Sequence, residues 1–370
     1  METLMLDSLV IRRFRAFRQL QIPRLGRVNL ITGKNNVGKS CVLEALWLYA
    51  RRGSPSLIWQ LLGARDESVR PYTRAEGDTE EQTLAIKYLF YGRKDVRESF
   101  EAIEIGSLNF PKDLLSITVG WYAVQVGEGG RREFVLLQPE EYHTAENPTL
   151  GLRIQVGTQE MSVQRLDWYI ERRLTRPPEP KGIQSVFVPA DGLDYSQIGS
   201  LWDAVALTPL EEDVLASLRI ITPEVERVNL VGDQDPGRRR IPTVKIAKQE
   251  GPLPLRSLGE GMNRMFGLAL ALVNAKDGLL LIDEVESGLH YSIQPDLWRL
   301  IFQVARRLNV QVFATTHSWD CIAAFQKAAQ EDQKDQGLLI RLSEKAGEIT
   351  ATLFDERMLS IATREQIEVR

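Results

Sequence analysis

A complete phosphate-binding loop occupies positions 33–40 of this 370-residue chain, and it constrains the fold more than any other feature of the sequence. The apolar run at 28–31, in front of the loop, predicts a buried strand. Behind the loop, apolar residues recur at helical spacing between positions 43 and 50. The sequence therefore predicts a glycine-rich turn between a strand and a helix, which is where proteins bind phosphate best.

The residues of this loop supply the groups that phosphate binding requires. Backbone N–H groups of the turn and of the helix N-terminus point at the anion, Lys39 supplies a cation to the outer phosphates, and Ser40 offers a hydroxyl to Mg²⁺. We therefore predict a site for a nucleotide with Mg²⁺, and a plain glycine-rich turn is the minor alternative. The residues expected to contact the nucleotide are Gly33, Lys34, Asn35, Asn36, Val37, Gly38, Lys39, Ser40 and Cys41.

The bulk composition is that of an ordinary soluble protein. The formal net charge is -4, so any contact with nucleic acid must come from local basic patches. Cys41 and Cys321 are the only cysteines, too few for a disulfide framework, which fits a reducing cytoplasm. The sequence has no run of about 20 apolar residues and no secretion-type start, so we expect a cytoplasmic chain without membrane insertion.

Changes in sequence pattern divide the chain into three parts. Short apolar segments at 7–32 predict a small β layer, and the runs at 116–119 and 134–137 predict a hairpin. Thr208 and Glu211 have the capping-box spacing of a helix start, so about 160–230 is predicted to be largely helical. The expected boundaries are 1–159 for the part with the phosphate loop and the β layer, 160–250 for an inserted helical lobe, and 251–370 for the remainder.

The last third of the chain predicts a parallel α/β sheet. The apolar run at 279–282 predicts a buried strand that ends at Asp283 and Glu284. A helical pattern over 293–308 and a second buried strand over 310–316 follow, and that strand ends at His317. Open α/β sheets bind their ligands at the carboxyl ends of their strands, so we expect both acids and the histidine beside the phosphate loop.

Asp283 and Glu284 supply what a Mg-nucleotide needs. One carboxylate can hold the water shell of the metal, and the other can orient the attacking water. Two acids at a strand end can also serve solubility, but the phosphate loop in the same chain favours the functional interpretation. His317 is one of only three histidines, and its position after the second strand favours a role at the site over a purely structural one.

A second glycine-rich turn, at 257–261, precedes another helical run. A simple helix cap would explain this turn by itself. The acidic strand that follows some twenty residues later favours a functional interpretation.

The order of these motifs resembles the ABC-type ATPases, and within them the branch that contains the SMC, RecF and OLD (overcoming lysogenization defect) proteins. The loop at 33–40 corresponds to Walker A, the turn at 257–261 to the signature, and 279–284 to Walker B. Residues 286–289 correspond to the D-loop, and His317 to the switch histidine. The segment 11–17 is similar to the opening strand of that branch. The fold class implied is an α/β P-loop NTPase of the ABC type, with a mixed β-sheet core, an N-terminal β layer and an inserted helical lobe.

The resemblance implies a composite site built by two subunits arranged head to tail. Lys39 and Ser40 would hold ATP and Mg²⁺, with Asp283 as a second metal ligand. Glu284 would be the general base, a role typically worth about 10²- to 10⁴-fold in rate. His317 would contact the γ-phosphate. The residues expected to act across the dimer are Ser257, Gly259, Glu260 and Ser287.

Departures from the family narrow the role. The 216 residues between Ser40 and Ser257 carry no sustained heptads, so long SMC-type arms are not expected. Because 53 residues of this sequence follow His317, we do not expect the TOPRIM nuclease domain of OLD proteins. The acidic pair at 233–235 is interpreted as a hairpin turn. The family also uses a glutamine loop, for which Gln138, after a predicted strand, is a candidate.

Clusters of arginines at 12–18, 172–173 and 238–240 are possible contacts for DNA, although most such clusters are merely solvated. Arg13 or Arg15 is a candidate contact for the nucleotide instead. The leading hypothesis is a cytoplasmic ATPase that acts as a homodimer or higher oligomer. It would switch a separately encoded effector, such as a nuclease or TOPRIM-like protein, in antiphage defence or DNA maintenance. The alternatives are a transporter ATPase subunit and a nucleotide-binding regulatory module that does not hydrolyse.

Overall fold

Three β-sheets and seven α-helices make up the described part of the chain. The computed structural model describes residues 4–67, 85–96, 101–126, 132–138, 141–142, 144–145, 148–165, 181–232, 240–332, 337–355 and 358. The strands are β1 Leu9–Phe14, β2 Phe17–Ile22, β3 Val28–Thr32, β4 Ile103–Gly106, β5 Leu115–Val126, β6 Arg132–Leu136, β7 Thr149–Val156, β8 Gln159–Arg165, β9 Ser185–Val188, β10 Val225–Val231, β11 Ile241–Ile246, β12 Leu253–Pro254, β13 Leu279–Ile282, β14 Gln311–Thr315, β15 Gly337–Lys345 and β16 Glu348–Phe354. The helices are α1 Lys39–Ala50, α2 Pro55–Gly63, α3 Tyr195–Val205, α4 Leu210–Arg219, α5 Glu260–Asn274, α6 Gln294–Arg307 and α7 Trp319–Asp332.

The central sheet has the strand order β16-β15-β3-β14-β13-β9. All of its pairings are parallel except the one between β15 and β16. The buried apolar runs at 279–282 and 311–315 are therefore neighbouring strands, as the sequence predicts. Since β3, β14 and β13 are adjacent and parallel, the three segments that follow them emerge at the same edge of the sheet.

The central sheet is buried on both faces because its side chains alternate between two apolar clusters. Leu280 and Ile282 of β13 pack in the cluster that includes α5, α6 and α7. Leu279 and Leu281 of the same strand pack in the cluster that includes α1. Burial on both faces explains why this strand consists of four consecutive apolar residues rather than alternating apolar and polar ones.

An antiparallel sheet covers the α1 side, with the order β2-β1-β4-β5-β7-β8 and β6 paired to β5. It is the β layer predicted from the N-terminal segments. The predicted hairpin is confirmed as the antiparallel pairing of β5 with β6, and its turn at 127–131 lies outside the described residues.

Within its described residues, the segment predicted as a helical lobe is only partly helical. It contains the helices α3 and α4, but it also contains the end of β8 and all of β9. In the same segment β10 and β11 form an antiparallel pair. The buried residues of β10 alternate with exposed ones, as in a half-buried strand. The prediction of a largely helical segment did not take this alternation into account. The helix start near Thr208 is confirmed, although α4 begins at Leu210 and Glu211 accepts a hydrogen bond from Leu207 N–H rather than forming the predicted box.

Several residues singled out in the sequence lie outside the described part of the chain, namely 172–173, 233–235 and 238–239. Arg240 is described, and both of its terminal nitrogens donate to the carboxylate of Asp203. Within the described residues, none of the helices is long and apolar enough to cross a membrane.

Candidate nucleotide-binding site

The phosphate loop lies between β3 and α1, as the sequence predicts. Gly33 and Gly38 have φ angles of 145° and 86°, in the region that favours glycine, and α1 begins directly at Lys39. The Lys39 ammonium donates to the carbonyl oxygens of Gly33 at 2.8 Å and Lys34 at 3.0 Å. These bonds curl the loop around the lysine, and the backbone N–H groups at the start of α1 remain available for an anion.

The first loop residues after Gly33 face solvent, and the last ones are partly covered. Lys34, Asn35 and Asn36 are exposed. Gly38, Lys39 and Ser40 are half-buried, whereas the side chains of Val37 and Cys41 pack in the core beneath the loop. A nucleotide at Cys41 would therefore meet its backbone N–H rather than its thiol.

Packing against the turn between β1 and β2 fixes the shape of the loop. A Cβ added to Gly38 would lie 2.8 Å from the Phe17 ring and 3.3 Å from the Ala16 methyl group. No side chain fits there, and the φ of 86° favours glycine independently. The N-terminal β layer thus supports the phosphate loop directly.

The phosphate loop lies close to the acidic residues that follow β13 in the same chain. The carboxylates of Asp283, Glu284 and Glu286 are close enough to Lys39 to favour its charged form. Burial has the larger effect, and it holds the pKa of Lys39 below its ordinary value. An ammonium that is partly desolvated and faces acids is well placed to neutralise an incoming phosphate and the metal that accompanies it.

Asp283 and Glu284 follow β13 directly, and Thr315 at the end of β14 orients both. The Thr315 hydroxyl donates to Asp283 Oδ1 at 2.5 Å and accepts from the Glu284 N–H at 2.8 Å. Glu284 has a φ of 46°, a left-handed conformation that is strained for a residue with a side chain. This turn of the backbone leaves its carboxylate partly exposed, with 42% of the side-chain surface accessible.

His317 lies beside these acids. Its Nδ1 is 3.7 Å from Glu284 Oε1 and 3.5 Å from Glu286 Oε1. The Glu286 side chain is only 9% exposed, and it accepts hydrogen bonds from Thr316 Oγ1 at 2.7 Å and the His317 N–H at 3.2 Å. Glu286 therefore fixes the segment that carries the histidine.

The signature turn lies at the N-terminus of the 15-residue helix α5 and faces solvent. Ser257, Gly259 and Glu260 are all exposed, and Gly259 has a φ of 103°. Glu260 forms an ion pair at 2.6 Å with Arg256, which lies in the 3-10 helix before Gly259. Ser257 ends up on the surface because the short 3-10 helix Leu255–Leu258 turns it outward while Leu255 packs inward.

The D-loop lies beside the first turn of the same helix, where a Cβ on Gly261 would be 3.2 Å from the Gly288 carbonyl oxygen. The Ser287 N–H donates to the Glu284 carbonyl at 3.0 Å. A cavity of about 220 Å³ separates the D-loop from the segment after β9, and its lining includes Ser287, Glu260, Arg264 and Asp191. The structure thus brings Ser287 and Glu260 to one cavity.

Comparison with known proteins adds to this geometry. The family model described as "AAA domain, putative AbiEii toxin, Type IV TA system" matches residues 228–320, which include the signature turn, both acids and His317. An "ATP/GTP phosphatase" of Helicobacter pylori is 24% identical over 354 residues, covering 88% of this chain and 89% of that protein. An uncharacterized protein of Methanocaldococcus jannaschii is 47% identical over 45 residues, 12% of this chain and 20% of that one.

Among solved structures, an Smc head bound to the C-winged helix domain of ScpA superposes with a TM-score of 0.51. It is 13% identical in sequence and covers 94% of this chain and 98% of its own, so it shows the shared fold. This chain is a P-loop ATPase with the fold of an Smc head.

In this ATPase, the two arginines suggested as nucleotide contacts have different surroundings. Arg15 is buried between β1 and α1, where it forms ion pairs with Glu44 and Glu67, so it serves the internal packing. Arg13 is half-exposed, with its Nε 3.5 Å from Glu101. The role predicted for Arg13 stays a prediction.

The glutamine candidate of the ATPase lies away from the central sheet. Gln138 is exposed and follows β6 in the antiparallel sheet, and its N–H donates to Glu141. In the central sheet the edge strand next to β13 is β9 rather than β6. The segment that follows β9 contributes Asp191 to the cavity.

Sequence reasoning assigned no individual role to three polar residues that hold the ATPase site together. Thr315, Glu286 and Arg264 each hydrogen-bond to the acidic turn or the histidine segment. Thr315 and Glu286 are next to predicted site residues, so their positions at strand ends were a usable signal. Arg264 lies within a helix, where an arginine usually faces solvent. No local pattern distinguishes it.

Proposed function

We propose that this ATPase hydrolyses Mg-ATP at the interface of a head-to-tail dimer in the cytoplasm. In this proposal the dimer forms on ATP and separates after hydrolysis, and the change switches a separately encoded effector in antiphage defence or DNA maintenance. Each active site uses the phosphate loop and acids of one copy and the signature turn of the other.

The exposure of the signature turn carries the proposal. Gly259 is the N-cap of a 15-residue helix and Ser257 lies two residues before it, and such a helix end favours anions. Among the described residues, no heavy atom outside its chain neighbours lies within 4 Å of the position that a Cβ on Gly259 would take. The N-terminus of this helix is therefore accessible to the phosphate of a nucleotide bound by a second copy.

The residues around the phosphate loop fit ATP and Mg²⁺. Ser40 and Asp283 offer a hydroxyl and a carboxylate, the oxygen ligands that Mg²⁺ prefers. Among the described residues, no group of three or more His, Cys, Asp or Glu side chains could hold a metal, so Mg²⁺ would depend on phosphate oxygens as well. When bound, Mg²⁺ would neutralise charge on the phosphates.

The acidic turn and the histidine supply the remaining chemistry. The Glu284 carboxylate, partly exposed beside the loop, would accept a proton from the attacking water. His317, 3.7 Å from it, would donate a hydrogen bond to the γ-phosphate. Lys39 would stabilise the charge that develops on the outer phosphates.

The effector role is supported by the matched family model, whose description names a toxin of a type IV toxin–antitoxin system. Toxin–antitoxin and defence systems commonly involve a second protein, and a P-loop ATPase that opens and closes can control one. The structural relative binds a winged-helix domain of another protein, which supports an Smc-like head as a surface for partners. A nuclease, a TOPRIM-like protein and DNA are the ligands to test.

Size-exclusion chromatography of the Glu284→Gln variant tests the dimer. With ATP and Mg²⁺, this variant should elute as a dimer because hydrolysis no longer releases it. Adding Ser257→Arg should abolish the dimer without changing ATP affinity in calorimetry. Ser200→Arg, at an exposed serine on α3, is the matched control and should leave the dimer intact.

The same variants give results that would refute the proposal. A Glu284→Gln protein that stays monomeric with ATP and Mg²⁺ would exclude the shared site. A dimer that persists with Ser257→Arg would place the interface elsewhere. Lys39→Ala should neither bind ATP nor dimerise, and undiminished ATP affinity would refute the loop assignment.

Co-purification tests the effector. The product of the neighbouring gene, expressed together with this chain, should bind the ATP-bound Glu284→Gln protein and not Lys39→Ala. Equal binding to both variants would show that effector binding does not depend on the bound nucleotide, which would contradict the switch.

A further inference from the structure

Arg264 on α5 is a buried arginine that donates hydrogen bonds to three backbone carbonyls. Its side chain points away from solvent, and the residue is 7% exposed. Nη1 donates to the Pro189 carbonyl at 2.7 Å. Nη2 donates at 3.0 Å to each of the carbonyls of Asp283 and Glu284. One guanidinium thus joins the signature helix, the segment after β9 and the acidic turn after β13.

Burial of this guanidinium is unfavourable, which indicates that its position matters. Desolvation holds the pKa of Arg264 below its ordinary value, against the effect of nearby carboxylates that include Asp191 and Asp283. Its Nε is also buried and has no hydrogen-bond partner among the described residues. A methionine of similar length would fill the same space without this cost, so packing alone does not require an arginine here.

The backbone of Glu284 is held at both its N–H and its carbonyl. The N–H donates to Thr315 Oγ1 at 2.8 Å, and the carbonyl accepts from Arg264 and from the Ser287 N–H, each at 3.0 Å. Between these bonds the residue keeps a φ of 46°, a conformation that persists only when its surroundings enforce it. Thr315 belongs to the central sheet, whereas Arg264 belongs to the helix whose N-terminus is the signature turn.

We infer that Arg264 is a positioning residue that holds Glu284 in its active backbone conformation and ties that conformation to the signature helix. The inference rests on the proposed role of Glu284 as general base. Nucleotide from the second copy, bound at the N-terminus of α5, would then act on the base of the first copy through one side chain. The two sites would thereby be coupled without contact between the two nucleotides.

A double-mutant cycle tests the inference. Arg264→Met should lower kcat by about 10- to 100-fold, because a small misplacement of a catalytic group has effects of this size. ATP affinity in calorimetry should not change, since the hydrogen bonds described for Arg264 go to Pro189, Asp283 and Glu284 rather than to the phosphate loop. In the Glu284→Gln background, Arg264→Met should lower the residual rate no further, because the base that it positions is already absent.

Arg27→Met is the matched control. Arg27 is also buried and donates to a backbone carbonyl, that of Val310, but at the opposite end of the central strands. It should lower the melting temperature while kcat stays at the wild-type value. Arg264→Lys, which retains the charge but lacks the two-pronged geometry, replaces Arg264→Met in the cycle if the methionine variant does not fold.

The outcomes separate the inference from the proposed function. Wild-type kcat in Arg264→Met, with Glu284→Gln inactive, would overturn the inference alone. Rate losses that multiply in the double variant would also overturn it, because they would show a role independent of Glu284. Wild-type hydrolysis by Glu284→Gln would overturn the proposed base and the inference together.

Discussion

The Thr315 hydroxyl donates a 2.5 Å hydrogen bond to Asp283 Oδ1 across two neighbouring parallel strands. The same hydroxyl accepts from the N–H of Glu284, so one oxygen holds the Asp283 carboxylate and the backbone that carries the Glu284 side chain. Fixed orientation of this kind is what a catalytic carboxylate requires, because its reaction partner must lie within hydrogen-bond distance.

Thr315→Val should therefore lower kcat by about tenfold or more while the fold is retained, because valine has the same shape but can form neither bond. Steady-state hydrolysis and calorimetric ATP affinity, measured together, would separate a loss of orientation from a loss of binding. Thr32→Val is the matched control, since the buried Thr32 hydroxyl at the end of β3 has no hydrogen-bond partner among the described residues. Equal losses in both variants would contradict a specific role for Thr315.

Gly38→Ala should weaken the phosphate loop. The new methyl group would lie 2.8 Å from the Phe17 ring, at a backbone φ of 86°. We expect ATP affinity to fall by about tenfold, equivalent to about 1.4 kcal/mol. Calorimetry and thermal melting would measure the loss.

Gly92→Ala separates the two causes of that effect. Gly92 has a φ of 76°, but a methyl group there would meet nothing within 4 Å among the described residues. This control should lose only about 1 kcal/mol of stability, from backbone strain, and keep its ATP affinity. Similar affinity losses in both variants would show that contact with Phe17 is unimportant.

Glu286→Ala should slow hydrolysis, because the His317 segment would lose the acceptor for Thr316 Oγ1 and the His317 N–H. Glu286→Gln keeps an oxygen that can accept both bonds, so it should retain most of the activity. The comparison of kcat between the two variants measures the orienting role. Equal inactivity of both would indicate that the negative charge of Glu286, rather than its hydrogen bonds, is required.

Both cysteine thiols should be unreactive in the folded protein. Burial raises the pKa of Cys41 and of Cys321, and Glu286 acts in the same direction on Cys321. Because the thiolate is the reactive form, raising the pH to about 8.5, where a free thiol is half ionised, should still give little labelling. Ellman's reagent should detect two thiols only after denaturation, and rapid labelling of the native protein would contradict the buried positions.

The parts of the fold that were predicted correctly are those with a strong local pattern. The apolar run that forms β13 and the loop before Lys39 can each be recognised within ten residues, and their parallel arrangement follows from the strand-helix-strand order. The strands β10 and β11 were missed because a half-buried strand of six or seven residues competes with helical patterns on either side.

The site was predictable only in part, for a similar reason. Lys39, Asp283 and His317 belong to motifs that the sequence shows. In the structure Lys39 lies near Asp283 and Glu284, and His317 lies near Glu284, at one edge of the sheet. Arg264 contacts a carbonyl 75 positions away in the chain, and such a contact leaves no periodic signal in the sequence. Only the folded chain shows that this helix residue faces the acidic turn.

The alternation of side chains in the central sheet has a consequence for how the molecule denatures. Successive residues of β13 contribute to different apolar clusters, and those of β14 do the same, with Phe313 in one and Val312 in the other. Neither cluster can open without withdrawing the strands that complete the other. Heat or urea should therefore melt the two clusters in one cooperative transition, with near- and far-ultraviolet circular dichroism changing together.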